Sequence, residues 1–170
     1  MSMVESVSSF LAHYVSPPVV VFLISMLPVL ELRGGMVAAA LFGMPWPEAL
    51  LASLLGNMLP IPFVILFIRR VIALLGRGGP LRSFALWLVT KGTAGGARLQ
   101  ERYPRSLWLG LCLFVAIPLP GTGAWTGALI AALLGLKAAR SASAICVGVL
   151  GAAGVMSLLT YVLPALVRAV

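Results

Sequence analysis

The feature that most constrains this chain is a set of four long apolar blocks, two of them broken in the middle by proline and glycine. The blocks are residues 17–43, 48–75, 107–135 and 141–167, with a basic connector at 76–106. With 61% hydrophobic and only 9% charged residues, the chain reads as an integral membrane protein, since soluble domains average about 25% charged residues. In lipid every backbone N–H and C=O needs a partner inside the protein, so the chain is expected to be helical throughout. Yet block three contains "VAIPLPGTGAWTGA" (115–128), where Pro118, Pro120, Gly121 and Gly123 must interrupt any helix. Such a break is tolerated only against protein or a watery cavity.

Block one breaks in a matching place, at "LPVLELRGG". A shift of 92 residues lays Phe22 on Phe114, Pro28 on Pro120, Gly35 on Gly127 and Gly43 on Gly135, and continues to Gly56 on Gly148. Matched Pro and Gly in one ungapped register point to a two-fold internal repeat. Repeats of interrupted hydrophobic segments are a transporter signature, with binding sites where the broken helices meet. Each arm of a broken block has about 10–14 residues, short of the roughly 20 that span a bilayer. Each block is therefore either a broken span or a re-entrant hairpin. Charge favours the hairpin. Arg69, Arg70, Arg77, Arg82, Lys91, Arg98, Arg102 and Arg105 lie in or beside the connector, while Lys137 and Arg140 follow block three. The positive-inside rule puts both groups in the cytoplasm, so block three must return to the side it entered.

The expected fold is an all-α membrane protein of one domain, 1–170. It has two inverted repeats (17–75 and 107–167), each a re-entrant broken-helix hairpin plus a transmembrane helix, joined by an amphipathic connector. Its expected place is the prokaryotic cytoplasmic membrane, multi-pass, with connector 76–106 cytoplasmic. Within the connector, "LRSFALWLV" (81–89) reads either as a surface helix presenting Phe84 and Trp87 or as a solvated basic loop. The N-terminus does not read as a signal peptide, because no Lys or Arg precedes Arg33 and Glu5 is acidic.

The residue inventory argues against enzymes. There is no Asp, and the four Glu and single His13 are scattered, so neither a metal site nor a Ser–His arrangement is expected. Cys112 and Cys146 read as small core residues. No catalytic residue, metal or cofactor is expected, and the net charge of +8 fits anionic headgroups rather than nucleic acid.

The candidate substrate-binding residues are Glu31, Arg33, Asn57, Pro120, Gly121, Thr122, Gly123, Trp125 and Thr126. Glu31 and Arg33 are the only opposite charges close together within one apolar block, and ionisable groups at depth mark pathways or internal partners. They serve either as a salt bridge pinning the hairpin or as a site in which Arg33 receives an anion. Asn57 either caps backbone freed by Pro60 and Pro62 or reaches the site. Trp125, which the shift lays on Arg33, is either an interfacial anchor or a donor beside the Thr122 and Thr126 hydroxyls.

"ELRGG", "GNMLPIP" and "FVAIPLPGTGAWTGA" together resemble the small multidrug export protein family of prokaryotic membrane proteins, over roughly residues 20–165. The architecture is also similar to the DedA superfamily, built from re-entrant hairpins, some members of which are implicated in moving polyprenyl phosphate or phospholipid between leaflets. That superfamily commonly carries an Arg after the second proline-glycine turn, where this chain has Thr122 and Trp125. The resemblance implies a non-enzymatic transporter of an amphipathic substrate with an anionic head, such as a lipid phosphate or polyprenyl phosphate. The alternatives are a proton-coupled exporter of hydrophobic cations using Glu31 and a membrane assembly protein without transport. Expected partners are membrane lipids, a lipid-linked substrate and a second copy in a homodimer, which the spacing of Gly123 and Gly127 permits.

Overall fold

A computed structural model describes residues 16–75, 82–104, 106–119 and 121–169. His13, Glu5, Pro120 and the connector residues before Arg82 lie outside them. Every regular element among the described residues is helical: α1 Pro17–Met26, α2 Glu31–Leu41, α3 Trp46–Met58, α4 Ile61–Leu75, α5 Arg82–Arg102, α6 Leu107–Ala116, α7 Ala124–Leu133 and α8 Ala138–Ser157. A π-helical turn, Leu158–Val162, then runs into α9, Leu163–Ala169.

Local chemistry sets the boundaries. Prolines open α1 and α3 in the first turn, where a missing N–H costs nothing. The residue before a proline is pushed out of the helical region. Thus α1 ends at Leu27 (ψ 135°), ahead of Pro28, and α6 ends at Ile117 (ψ 117°), ahead of Pro118. The second hairpins' arms end identically. Gly43 (φ 65°) and Gly135 (φ 68°) take left-handed conformations behind α2 and α7. Met44 N then donates to Ala39 O and Leu136 N to Ala131 O, each at 3.0 Å, closing the same Schellman-type cap 92 residues apart.

So a short helix, a break, a second short helix and a long apolar stretch occur in that order twice. The 10- and 11-residue arms rise about 15 Å, half the hydrocarbon core of a bilayer. The continuous stretches Trp46–Ile68 and Ala138–Val167 have mean hydropathy 2.1 and are long enough to cross a membrane.

One matched pair of glycines, Gly56 and Gly148, sits where helix backbones approach closely. A Cβ on Gly56 of α3 would lie 2.2 Å from the Phe22 carbonyl oxygen of α1, and one on Gly148 of α8 would lie 2.7 Å from that of Cys112 in α6. Small residues let helix backbones approach where lipid supplies no hydrophobic drive. The halves also interlock, α4 against α7 and α8 against α2 and α3, so one apolar cluster contains Ile24, Leu32 and Met36 together with Leu111, Ile130 and Ile145. Large apolar side chains face outward along the long helices, including Leu51, Leu55, Phe63 and Leu66, and Val147, Leu150 and Leu158. An apolar exterior around a packed core suits lipid as the solvent.

The connector is helical over 82–89, as one of the two expectations for 81–89 had it, and it is more than a surface helix. From Arg82 it is one 21-residue helix, α5, and it is not free. Gly92, Gly95 and Gly96 form a flat strip against Leu129, Ile130 and Leu133 of α7 and Leu134 just after it. Hydropathy patterning over nine residues missed it because the packing surface is glycine, which carries no apolar signal.

Candidate functional site

The two breaks meet each other. The second, residues 117–123, is organised by Thr122: its hydroxyl accepts from Leu119 N (3.3 Å) and lies 2.8 Å from Ile117 O and 2.9 Å from Leu119 O, to which it can donate. Arg33, two residues into α2, reaches across. Its guanidinium donates to Leu119 O, to Ile117 O (3.3 Å) and to Thr122 Oγ1 (3.1 Å). Carbonyls released when Pro118 stops α6 therefore find their donor in the other half of the chain.

Glu31 does the converse. Its carboxyl oxygens accept from Ala124 N (3.2 Å) and Trp125 N (3.1 Å), the first amides of α7, which have no intrahelical partner. It is a helix cap supplied from 93 residues away. Glu31 is the one non-glycine residue with positive φ (51°) among those described, a conformation that persists only where surroundings enforce it. Trp125 completes the exchange, its indole N–H donating to Met26 O (3.1 Å) at the end of α1.

The 92-residue shift now has a physical content. It lays Glu31 on Gly123 and Arg33 on Trp125, and these positions serve one another across the interface. A Cβ on Gly123 would sit 2.0 Å from Glu31 Oε2, so glycine at that counterpart position is what admits the carboxyl. No ion pair joins Glu31 to Arg33 among the described residues. Instead of pinning their own hairpin, as the salt-bridge expectation had it, each is engaged in the opposite one.

Beside the second break lies a half-open cleft of about 640 Å³. It is lined by Ile117, Leu119, Gly121, Thr122 and Thr126 of the break and the start of α7, by Leu113 and Phe114 of α6, and by α5. From α5 come three exposed cations, Lys91, Arg98 and Arg102, with Tyr103 just beyond. Lys91 also stands over the Trp87 ring, 5.6 Å from its centre. Of the sequence candidates, Gly121, Thr122 and Thr126 line this cleft, while Glu31, Arg33, Gly123 and Trp125 form the joint behind it. Asn57 is elsewhere, buried in the first half with its Oδ1 unpartnered, one turn from the likewise unpartnered Ser53 hydroxyl. The sequence reading assigned Lys91, Arg98 and Arg102 only to headgroups. Their spacing of seven and four residues, one face of a helix, was the available signal.

Fold and site together define a helical membrane protein whose two broken hairpins brace one another beside a basic cleft. Residues 31–155 match the family described as "Putative small multi-drug export protein", and the chain belongs to that family. The chain is also similar to a heme A synthase of Caulobacter sp. (strain K31), 34% identical over an alignment of 97 residues that covers 51% of this chain and 28% of that protein. The chain thus spans well under a third of that relative's length. No solved structure matches.

Proposed function

We propose that the protein is a transporter, not an enzyme, and that it moves an amphipathic substrate with an anionic head, of the lipid-phosphate or polyprenyl-phosphate type, between the leaflets of the prokaryotic cytoplasmic membrane. In this reading the halves are inverted-topology repeats. Each consists of a re-entrant hairpin and one full span, with the connector on the cytoplasmic side. The observation that carries it is the cleft: three cations from α5, apolar side chains from α6, and the hydroxyls of Thr122 and Thr126 at the broken helix. An anionic head would pair with Arg98 and Arg102 and a tail would lie along Leu113 and Phe114. Thr122 and Thr126 would replace lost water at the depth of the break. Rocking one half against the other would pass the head from the cleft to the far side.

The test is reconstitution in liposomes with a fluorescent lipid phosphate. Arg98→Gln/Arg102→Gln should slow flipping at least tenfold, since a hydrogen bond to a charged group contributes about 1.5–3 kcal/mol. Equal rates for variant and wild type would refute the role of the cleft. The family description favours a second reading, proton-coupled export of hydrophobic cations through Glu31. It predicts dye efflux that survives the double arginine substitution and stops in Glu31→Gln. The three cations lining the cleft weigh against it.

A further inference from the structure

A second cleft, of about 440 Å³, opens at the base of the α6–α7 hairpin, and none of its lining residues belongs to the cleft described above. It is lined from one end of block three by Pro104, Ser106 and Trp108, and from the other by Gly135, Lys137 and Arg140. Three properties distinguish it. Among the described residues, its two charged side chains, Lys137 and Arg140, are both cationic and exposed, and no acid lines it. Both lie in or beside the first turn of α8, which carries no acidic residue and no side-chain cap. Cations are disfavoured there by the helix dipole, so α8 itself does not reward the placement. Finally, the Trp108 indole is fixed in position: its N–H donates to Ser143 Oγ (3.0 Å), whose hydroxyl donates to Arg140 O (2.9 Å). An aromatic ring beside two cations is the composition of a membrane–water interface, with apolar contact for acyl carbons and charge for a head.

We infer that this cleft binds the phosphate group of an anionic membrane lipid, with Lys137 and Arg140 on the phosphate and Trp108 beside the glycerol and upper acyl chain. The bound lipid supplies the negative charge that the start of α8 lacks and holds the two ends of the hairpin together. The inference is independent of the transport reading, because a non-transporting membrane protein would bind lipid here equally well.

The test uses the full chain purified in a zwitterionic detergent, with binding followed by lipid retention in native mass spectrometry. The probes are phosphatidylglycerol, phosphatidylcholine and inorganic phosphate. Wild type should retain phosphatidylglycerol in preference to phosphatidylcholine. In an Arg98→Gln/Arg102→Gln background, which removes the first cleft's arginines, Lys137→Gln/Arg140→Gln should bind it about 30-fold more weakly, the loss expected for two surface cations, while Arg82→Gln, a cation in neither cleft, should leave binding unchanged. If the double variant does not fold, as judged by far-ultraviolet circular dichroism, Arg140→Gln alone should weaken binding about fivefold. Unchanged affinity in the Lys137/Arg140 variants, or equal retention of the two lipids, would overturn the site. Displacement of phosphatidylglycerol by millimolar inorganic phosphate would overturn the lipid assignment in favour of free phosphate.

Discussion

Substituting Gly123 by alanine probes the joint between the two breaks with a single methyl group. The added Cβ would stand 2.0 Å from Glu31 Oε2, 2.7 Å from its Cδ and 2.8 Å from Oε1, so the carboxyl group cannot stay where it is. It must leave the amides of Ala124 and Trp125, now bonded at 3.2 and 3.1 Å. A buried group left without its partner costs about 1–3 kcal/mol, here about 2 kcal/mol, and with the backbone the whole substitution should cost on the order of 3 kcal/mol. About 1 kcal/mol of it belongs to the backbone, because Gly123 has φ 154°. The remainder depends on the carboxyl being present. In a Glu31→Ala background the three atoms nearest that methyl are gone, and Gly123→Ala should cost little beyond the backbone share. The two substitutions should therefore couple by about 2 kcal/mol. Unfolding in mixed micelles titrated with dodecyl sulfate, followed by circular dichroism, supplies the four stabilities of the cycle. A coupling below about 0.5 kcal/mol, the range of independent sites, would refute the claim that Gly123 exists to admit Glu31.

Other positions separate packing from conformation. Gly56→Ala, with its Cβ 2.2 Å from a backbone oxygen, should cost about 2–3 kcal/mol by forcing α1 and α3 apart. Gly43→Ala meets nothing within 4 Å and should cost only about 1 kcal/mol for its positive φ, so similar losses in the same titration would contradict this account. Trp46→Phe removes the indole bond to Ser157 Oγ (2.9 Å) and Tyr161→Phe the hydroxyl bond to Met44 O (3.2 Å). Each should lower stability by about 1 kcal/mol, and nearly additively if the bonds act separately; a cycle in the same micelles measures this. In a Cys112→Ala/Cys146→Ala background, single cysteines placed at Ser106 and at Lys137 should react with an impermeant maleimide from the same face of sealed vesicles. Labelling from opposite faces would eliminate the re-entrant hairpin.

The sequence alone determined what is local. Four apolar blocks impose lipid as solvent and helix as the backbone solution. Prolines stop α1 and α6, and Gly43 and Gly135 end α2 and α7, because these residues restrict or permit φ and ψ whatever surrounds them. The glycines matched by the 92-residue shift were legible for the same reason. The shift was less informative at the break itself: Pro118 has Met26 as its counterpart, so α6 stops earlier in register than α1 and leaves a longer loop. What only the tertiary structure decided is which groups satisfy that loop. Glu31 and Arg33 are two residues apart and suggested a pair, but each can bond wherever packing places a partner, and packing placed theirs some ninety residues away. The basic wall of the cleft was equally hidden. Lys91, Arg98 and Arg102 carry a charge that sequence reports, whereas the glycine strip that lays their helix beside the second break acts by what it lacks, and only the assembled surface of α7 reveals it.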